Sequence, residues 1–269
     1  MVMRGVTYVI RSSLYVAVTN RCSTTSLMTS RGPGLKMPSS FQPLPENFEP
    51  TSSEAAAEIV QKLSGADFTE LVFAGIGEPL VRWPVVQETV RLLRSQHPRV
   101  LCASSQSGAH LECSSSKKPS VEEKIDPLQA AGSMPVRLVT NGLWVAVSTP
   151  TSGAEQRGAN LEPGEQREME QKDSPAAIAA EIAELFDSVS VALNTADPDQ
   201  YVQLMVPAVE GLPPREAHGR VCEFVRECVD QGVPTECTIV DRDDVDVPRA
   251  QDLATRLGAS FRVRPYFPS

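Results

Sequence analysis

The chain has 269 residues, 41% of them apolar and 22% charged, which suits one large or two small globular domains and excludes a fibre, a repeat array or a disordered chain. Against 34 Asp and Glu stand 25 Lys and Arg, a formal net charge of −9, so no nucleic-acid partner is expected. The sequence has no run of about 18 apolar residues, so no membrane span is expected, and six cysteines without a secretory leader point to a reducing, cytoplasmic setting.

The first 45 residues lack Asp and Glu and carry Arg4, Arg11, Arg21, Arg31 and Lys36 among many Ser and Thr. Organelle transit peptides share that composition, so an organellar address is the alternative. Strand patterning at residues 7–10 and 14–18, joined by Arg11, Ser12 and Ser13, favours a hairpin that belongs to the fold. Thr51 and Glu54 make a capping box before an apolar run ending at Leu63. Residues 70–74 predict a strand, 84–93 a helix with Val85, Val86, Val90 and Leu93 along one face, and 136–139 the next strand. Ser174 and Pro175 start a helix bearing Ile178, Ile182, Leu185 and Phe186, residues 188–193 form a strand, and Asp197 and Pro198 repeat the start signal. A helix over 216–230, a strand over 235–240, a helix over 246–258 ended by glycine and a strand over 261–263 complete the series.

This alternation predicts an α/β fold of parallel strands with right-handed crossovers, either an open doubly wound sheet or a complete or partial barrel. In both, chemistry sits at the C-terminal ends of the strands. Residues 104–133 and 148–173 are poor in apolar side chains and predict two disordered insertions in one core domain.

Polar elements stand at four successive strand ends. Thr19-Asn20-Arg21-Cys22 follows the first, Gly75-Ile76-Gly77-Glu78-Pro79 the second, Thr140-Asn141-Gly142 the third and Asn194-Thr195 the fourth. Each alone suits a turn or a cap, and the Gly-x-Gly lacks the third glycine of a dinucleotide fingerprint. Asp241, Asp243, Asp244 and Asp246 read as a solvated loop and helix cap rather than a cation site. His97, His110 and His218 lack zinc spacing, and no Gly-x-Ser-x-Gly elbow occurs.

Taken with Ser190-Val191-Ala192-Leu193-Asn194 and the closing Phe261-Arg262-Val263-Arg264, this order resembles the TatD-associated radical S-adenosylmethionine (radical SAM) proteins over a core spanning residues 7–267. The resemblance implies a partial (β/α)6 TIM-like barrel. It implies SAM held by Gly75, Gly77, Glu78, Pro79, Thr140, Asn141 and Asn194, with Ile239 or Val240 beside the adenine. It also implies a [4Fe-4S] cluster in a CxxxCxxC loop for radical chemistry, and a TatD-type metal-dependent hydrolase as partner.

Aligned from Cys22, the other two ligand positions are Ser26 and Thr29. Their hydroxyls stay protonated and are weak donors to cluster iron, which prefers thiolate. Cys22 is then the sole remaining metal-ligand candidate, and Cys102, Cys113, Cys222, Cys228 and Cys237 show no ligand spacing. The expectation is a radical SAM fold degenerate at its iron-sulfur site, a pseudoenzyme. The alternative is a non-catalytic SAM-binding or protein-interaction scaffold.

Overall fold

The computed structural model describes residues 5–96, 134–144 and 174–268. Both expected insertions, 104–133 and 148–173, lie outside the described residues. In chain order the elements are β1 (Thr7–Ile10), β2 (Ser13–Val16), α1 (Ser52–Leu63), β3 (Glu70–Phe73), α2 (Trp83–Gln96), β4 (Val136–Thr140), α3 (Pro175–Leu185), β5 (Ser188–Ala192), α4 (Pro198–Met205), α5 (Pro214–Asp230), β6 (Thr235–Asp241), α6 (Val247–Arg256) and β7 (Ser260–Pro265). Helix starts follow local chemistry. Thr51 and Glu54 close a reciprocal capping box on α1, Ser174 and Asp197 cap α3 and α4 with proline in the first turn, and Asp246 caps α6.

The strands form one sheet in the order β1 to β7. β1 and β2 are an antiparallel hairpin turning at Arg11 (φ 56°), and every later pair is parallel. Sequential parallel strands with their helices packed on one face make a partial (β/α)6 barrel. The acid-free N-terminal segment thus supplies the edge hairpin of the sheet.

Side chains alternate along each strand. Leu14, Val16, Leu71, Phe73, Val136, Leu138, Val189, Val191 and Cys237 face the helices and are buried with them. The opposite, concave face carries a ladder of polar groups. Ser13 Oγ donates to Glu70 Oε1 (2.7 Å), Arg137 binds Glu70 with two nitrogens (3.0 and 2.8 Å), and Arg137 Nη1 reaches Ser190 Oγ (3.4 Å). Ser190 Oγ donates to Glu236 Oε1 (3.0 Å), which Arg262 also grips with two nitrogens (2.9 and 2.5 Å to the carboxylate). The ladder links β2 through β7, so each of these charges is matched by a neighbour.

The stretch after β2 returns to the far edge of the sheet. Phe267 N donates to Arg31 O (2.8 Å) and Gly34 N to Phe267 O (3.0 Å), while Phe41 packs edge-on against Tyr8 at 4.9 Å. Gly32 (φ 95°) is required here, because a Cβ would lie 2.2 Å from Phe267 O. Among the described residues no helix is long and apolar enough to cross a membrane.

Gly219, inside α5, is the opposite case, since a Cβ there would meet nothing within 4 Å. Gly219→Ala is expected to raise stability by about 0.5–1 kcal/mol, because glycine loses more backbone freedom in a helix than alanine does. A thermal melt beside the parent chain checks it.

Candidate functional site

Glu78 is the centre of the strand-end cluster. It is 1% exposed, immediately before the short helical turn Pro79–Arg82. Its Oε1 accepts from Thr140 Oγ1 (2.6 Å) and Leu80 N (3.1 Å), and its Oε2 from Asn141 N (2.7 Å). Burial pushes the carboxyl above its usual range, against these three hydrogen bonds. Thr140 Oγ1 also accepts from Gly142 N (2.9 Å) and Asn141 Oδ1 from Leu143 N (2.8 Å). Asn141 Nδ2 then reaches Ser23 Oγ and Thr24 Oγ1, both at 3.1 Å, and Cys22 Sγ at 3.7 Å. The ends of β3 and β4 and the loop after β2 are therefore locked into one hydrogen-bonded unit.

The glycines of that unit serve a close approach of backbone to backbone. A Cβ at Gly77 would lie 2.3 Å from Thr19 O and 2.6 Å from Arg21 O, and one at Gly75 would lie 3.0 Å from Ala17 Cβ. Glu78 N donates to Arg21 O (2.8 Å). The same loop is held from its other side, with Thr19 Oγ1 and Arg21 on Glu49 and with Asn20 paired to the Leu44 backbone.

Asn194 sits at the end of β5 with φ 61°, and its N donates to Thr238 O (3.1 Å). Its Nδ2 lies 2.8 Å from Met205 Sδ, and it shares with Val240 a void of only about 20 Å³. Ile239 turns the other way, packing with Val245 and Ala250 against α6. The C-terminus of α4 also anchors the first loop, through Thr25 N to Met205 O (2.6 Å).

The residues at the ligand positions implied by the resemblance do not suit iron. Burial first, and then the Glu78 carboxylate, push the Cys22 thiol up, so the neutral form is favoured. Ser26 Oγ and Thr29 Oγ1 lie 2.9 Å apart in a mutual hydrogen bond, and Ser26 Oγ also accepts from Thr29 N (3.1 Å). Among the described residues no group of three or more His, Cys, Asp or Glu could hold a metal ion. Cys228 and Cys237 are buried among apolar side chains with thiols pushed up to about 12. Cys102, Cys113, His97 and His110 lie outside the described residues. His218 is 3.0 Å from Thr195 O through Nε2, and burial lowers its pKa. Asp246 caps α6 and Asp244 pairs with Arg242, in keeping with the loop-and-cap reading. One cysteine with an unfavourable thiolate and two paired hydroxyls do not fit a [4Fe-4S] cluster.

The larger open space is a cavity of about 520 Å³ on the concave face, reaching from Ser13 and Glu70 to Gly75 and Arg264. Of the residues expected to hold SAM, Gly75 lies on its wall. Gly77, Glu78, Pro79, Thr140, Asn141 and Asn194 do not line it, and the polar side chains among them are engaged within the protein.

No family model matches the chain, and no curated protein matches its sequence. Similar solved structures include SuiB of Streptococcus suis, determined bound to the precursor peptide SuiA and bound to S-adenosylmethionine. Each aligns over 96% of this chain at 10% identity with a TM-score of 0.52. This chain and SuiB share a fold. The match spans 40% of the SuiB chain. A radical SAM methyltransferase from Sphaerobacter thermophilus is a more distant likeness, with a TM-score of 0.48 and 14% identity over 94% of this chain and 66% of its own.

The concave ladder is the feature beside this cavity that motif reading passes over. Its signal is nevertheless present, because Arg137 and Arg262 stand at strand positions between two apolar residues, and Glu70 and Glu236 each precede one.

Proposed function

We propose that this chain is a radical SAM-type barrel of the TatD-associated kind that acts as a binding protein without a [4Fe-4S] cluster. The order of strand-end motifs and the fold shared with SuiB, a protein solved with S-adenosylmethionine, support the superfamily. The observation that carries the cluster-free reading is the hydroxyl pair of Ser26 and Thr29, 2.9 Å apart at the two positions where thiolates are needed. Cys22 alone supplies one thiol, and its burial, with Glu78 nearby, disfavours its ionisation. In this reading SAM, where it binds, meets the backbone of Gly75 on the cavity wall and has no open iron to chelate its methionine group. The motif order also makes a TatD-type hydrolase the proposed partner.

The test is anaerobic reconstitution with iron and sulfide, with iron and labile sulfide measured per chain beside a Ser26→Cys, Thr29→Cys double variant. The native chain is expected to hold no cluster and the double variant about four irons, the stoichiometry of a [4Fe-4S] centre. About four irons in the native chain would overturn the cluster-free reading.

A further inference from the structure

We propose that the concave cavity binds an amphiphilic organic oxyanion, a carboxylate or phosphate whose charged head sits on Arg264 and Arg31 and whose apolar body lies along Tyr15, Leu27 and Met37. The proposal goes beyond the cluster-free reading and stands whether or not iron binds.

Its basis is a charge left over by the ladder. Glu70 is spent on Arg137 and Glu236 on Arg262. Arg264 is the next inward-facing residue of β7. Its Nε is shut off from solvent and has no hydrogen-bond partner among the described residues. Arg262 on the same strand and Arg31 from the loop after β2 add positive charge beside it, while Glu236, the carboxylate whose charge acts on it, is already doubly bound to Arg262. Arg31 is fixed in place, stacked 5.2 Å over the Phe267 ring with Nε 3.4 Å from Pro265 O.

A half-buried cation whose Nε has no hydrogen-bond partner among the described residues is costly, and arginine cannot shed the cost by losing its proton. The planar guanidinium fork matches carboxylate or phosphate oxygens in pairs, so an oxyanion in the cavity removes the penalty. Beside the paired Glu70, Arg137 and Arg262 of the ladder, the wall carries the apolar side chains of Tyr15, Leu27 and Met37, and the volume of about 520 Å³ falls within the usual range for small-molecule sites. A bare inorganic ion would leave the apolar part of that wall uncovered.

The experiment uses the full chain and calorimetric titration with 2-naphthoate, 2-naphthyl phosphate and, as the neutral analogue, 2-naphthalenemethanol. Arg264→Met removes the proposed head-group contact. Arg220→Met, on α5 where Arg220 pairs with Glu223, removes a cation elsewhere. At least one anion is expected to bind ~10-fold or more tighter than the alcohol, and Arg264→Met to lose about that factor, since a hydrogen bond to a charged group contributes on this scale. Whichever anion binds tighter identifies the head as carboxylate or phosphate. Without ligand, Arg264→Met should melt higher than the parent, because it relieves an unpaired charge, and Arg220→Met should bind as the parent does. The proposal is overturned if the alcohol binds as well as both anions, or if Arg264→Met keeps parental affinity. It is equally overturned if Arg264→Met melts lower without ligand, which would make Arg264 a satisfied structural residue.

Discussion

Glu78→Ala should melt roughly 6–12 °C below the parent chain, from a loss of about 3 kcal/mol in a folded unit of this size. The variant strips the acceptor from Thr140 Oγ1, Asn141 N and Leu80 N at once and leaves these donors in a dry pocket. Thr140 and Asn141 are 0% exposed, so water cannot replace the lost partner without opening the strand ends. The variant therefore cannot serve as a clean probe of SAM affinity, since weaker binding would follow from a displaced loop as readily as from a lost ligand contact. A parental melting temperature would show that the three hydrogen bonds are not held in solution.

The same carboxyl sets a pH dependence. Burial raises its pKa in the folded chain above the unfolded value. Between those two values the native state binds the proton more tightly, so the stability this group adds is fully present below the unfolded pKa and is lost as pH rises through the folded one. Glu78→Gln does not titrate. The melting difference, parent minus Glu78→Gln, should therefore shrink as pH is raised from about 4 through the raised folded pKa. A difference that grows with pH would mean that the hydrogen bonds outweigh burial and the folded pKa is depressed.

Gly77→Ala is the second large effect. The added carbon would stand 2.3 Å from Thr19 O and 2.6 Å from Arg21 O, both backbone atoms. Neither carbonyl can rotate away as a side chain would, because the loop that carries them is tied to Glu49, Leu44 and Asn141. The loop must move, which is expected to cost about 3 kcal/mol, the upper end of ordinary overpacking. Gly75→Ala meets only the Ala17 methyl at 3.0 Å and should cost about 1 kcal/mol. Hydrogen exchange at Glu78 N, which donates to Arg21 O, reports the displacement directly. Slow exchange at that amide in Gly77→Ala, with a parental melt, would show that a Cβ at position 77 is accommodated without displacing the loop.

These expectations depend on contacts of very different reach, and that difference separates the readable from the unreadable. The capping box at Thr51, the proline-started helices after Ser174 and Asp197 and the cap at Asp246 lie within three or four residues of what they act on. The alternation of strand and helix and the parallel α/β class it implies are likewise local patterns repeated along the chain, and the motif order at the strand ends is visible as written. What Glu78 does with its carboxylate is another matter. Its partners at Thr140 and Asn141 are 62 and 63 residues away, and no local pattern brings them to it. The hydroxyl side chains at 26 and 29 could be read from the sequence, but their mutual hydrogen bond and the burial of Cys22 beside Glu78 needed the folded loop.

Arg262 and Arg264 show the division most simply. By itself the sequence determined that both project from one face of the last strand, two residues apart in Phe261-Arg262-Val263-Arg264. Only the tertiary structure decided that they differ. The parallel register sets Arg262 opposite Thr238 with Glu236 on the diagonal, and sets Arg264 opposite Val240 with Thr238 on the diagonal. One guanidinium thereby meets a carboxylate and the other does not, because strand register, which no local pattern specifies, fixes which side chain lies within reach of which.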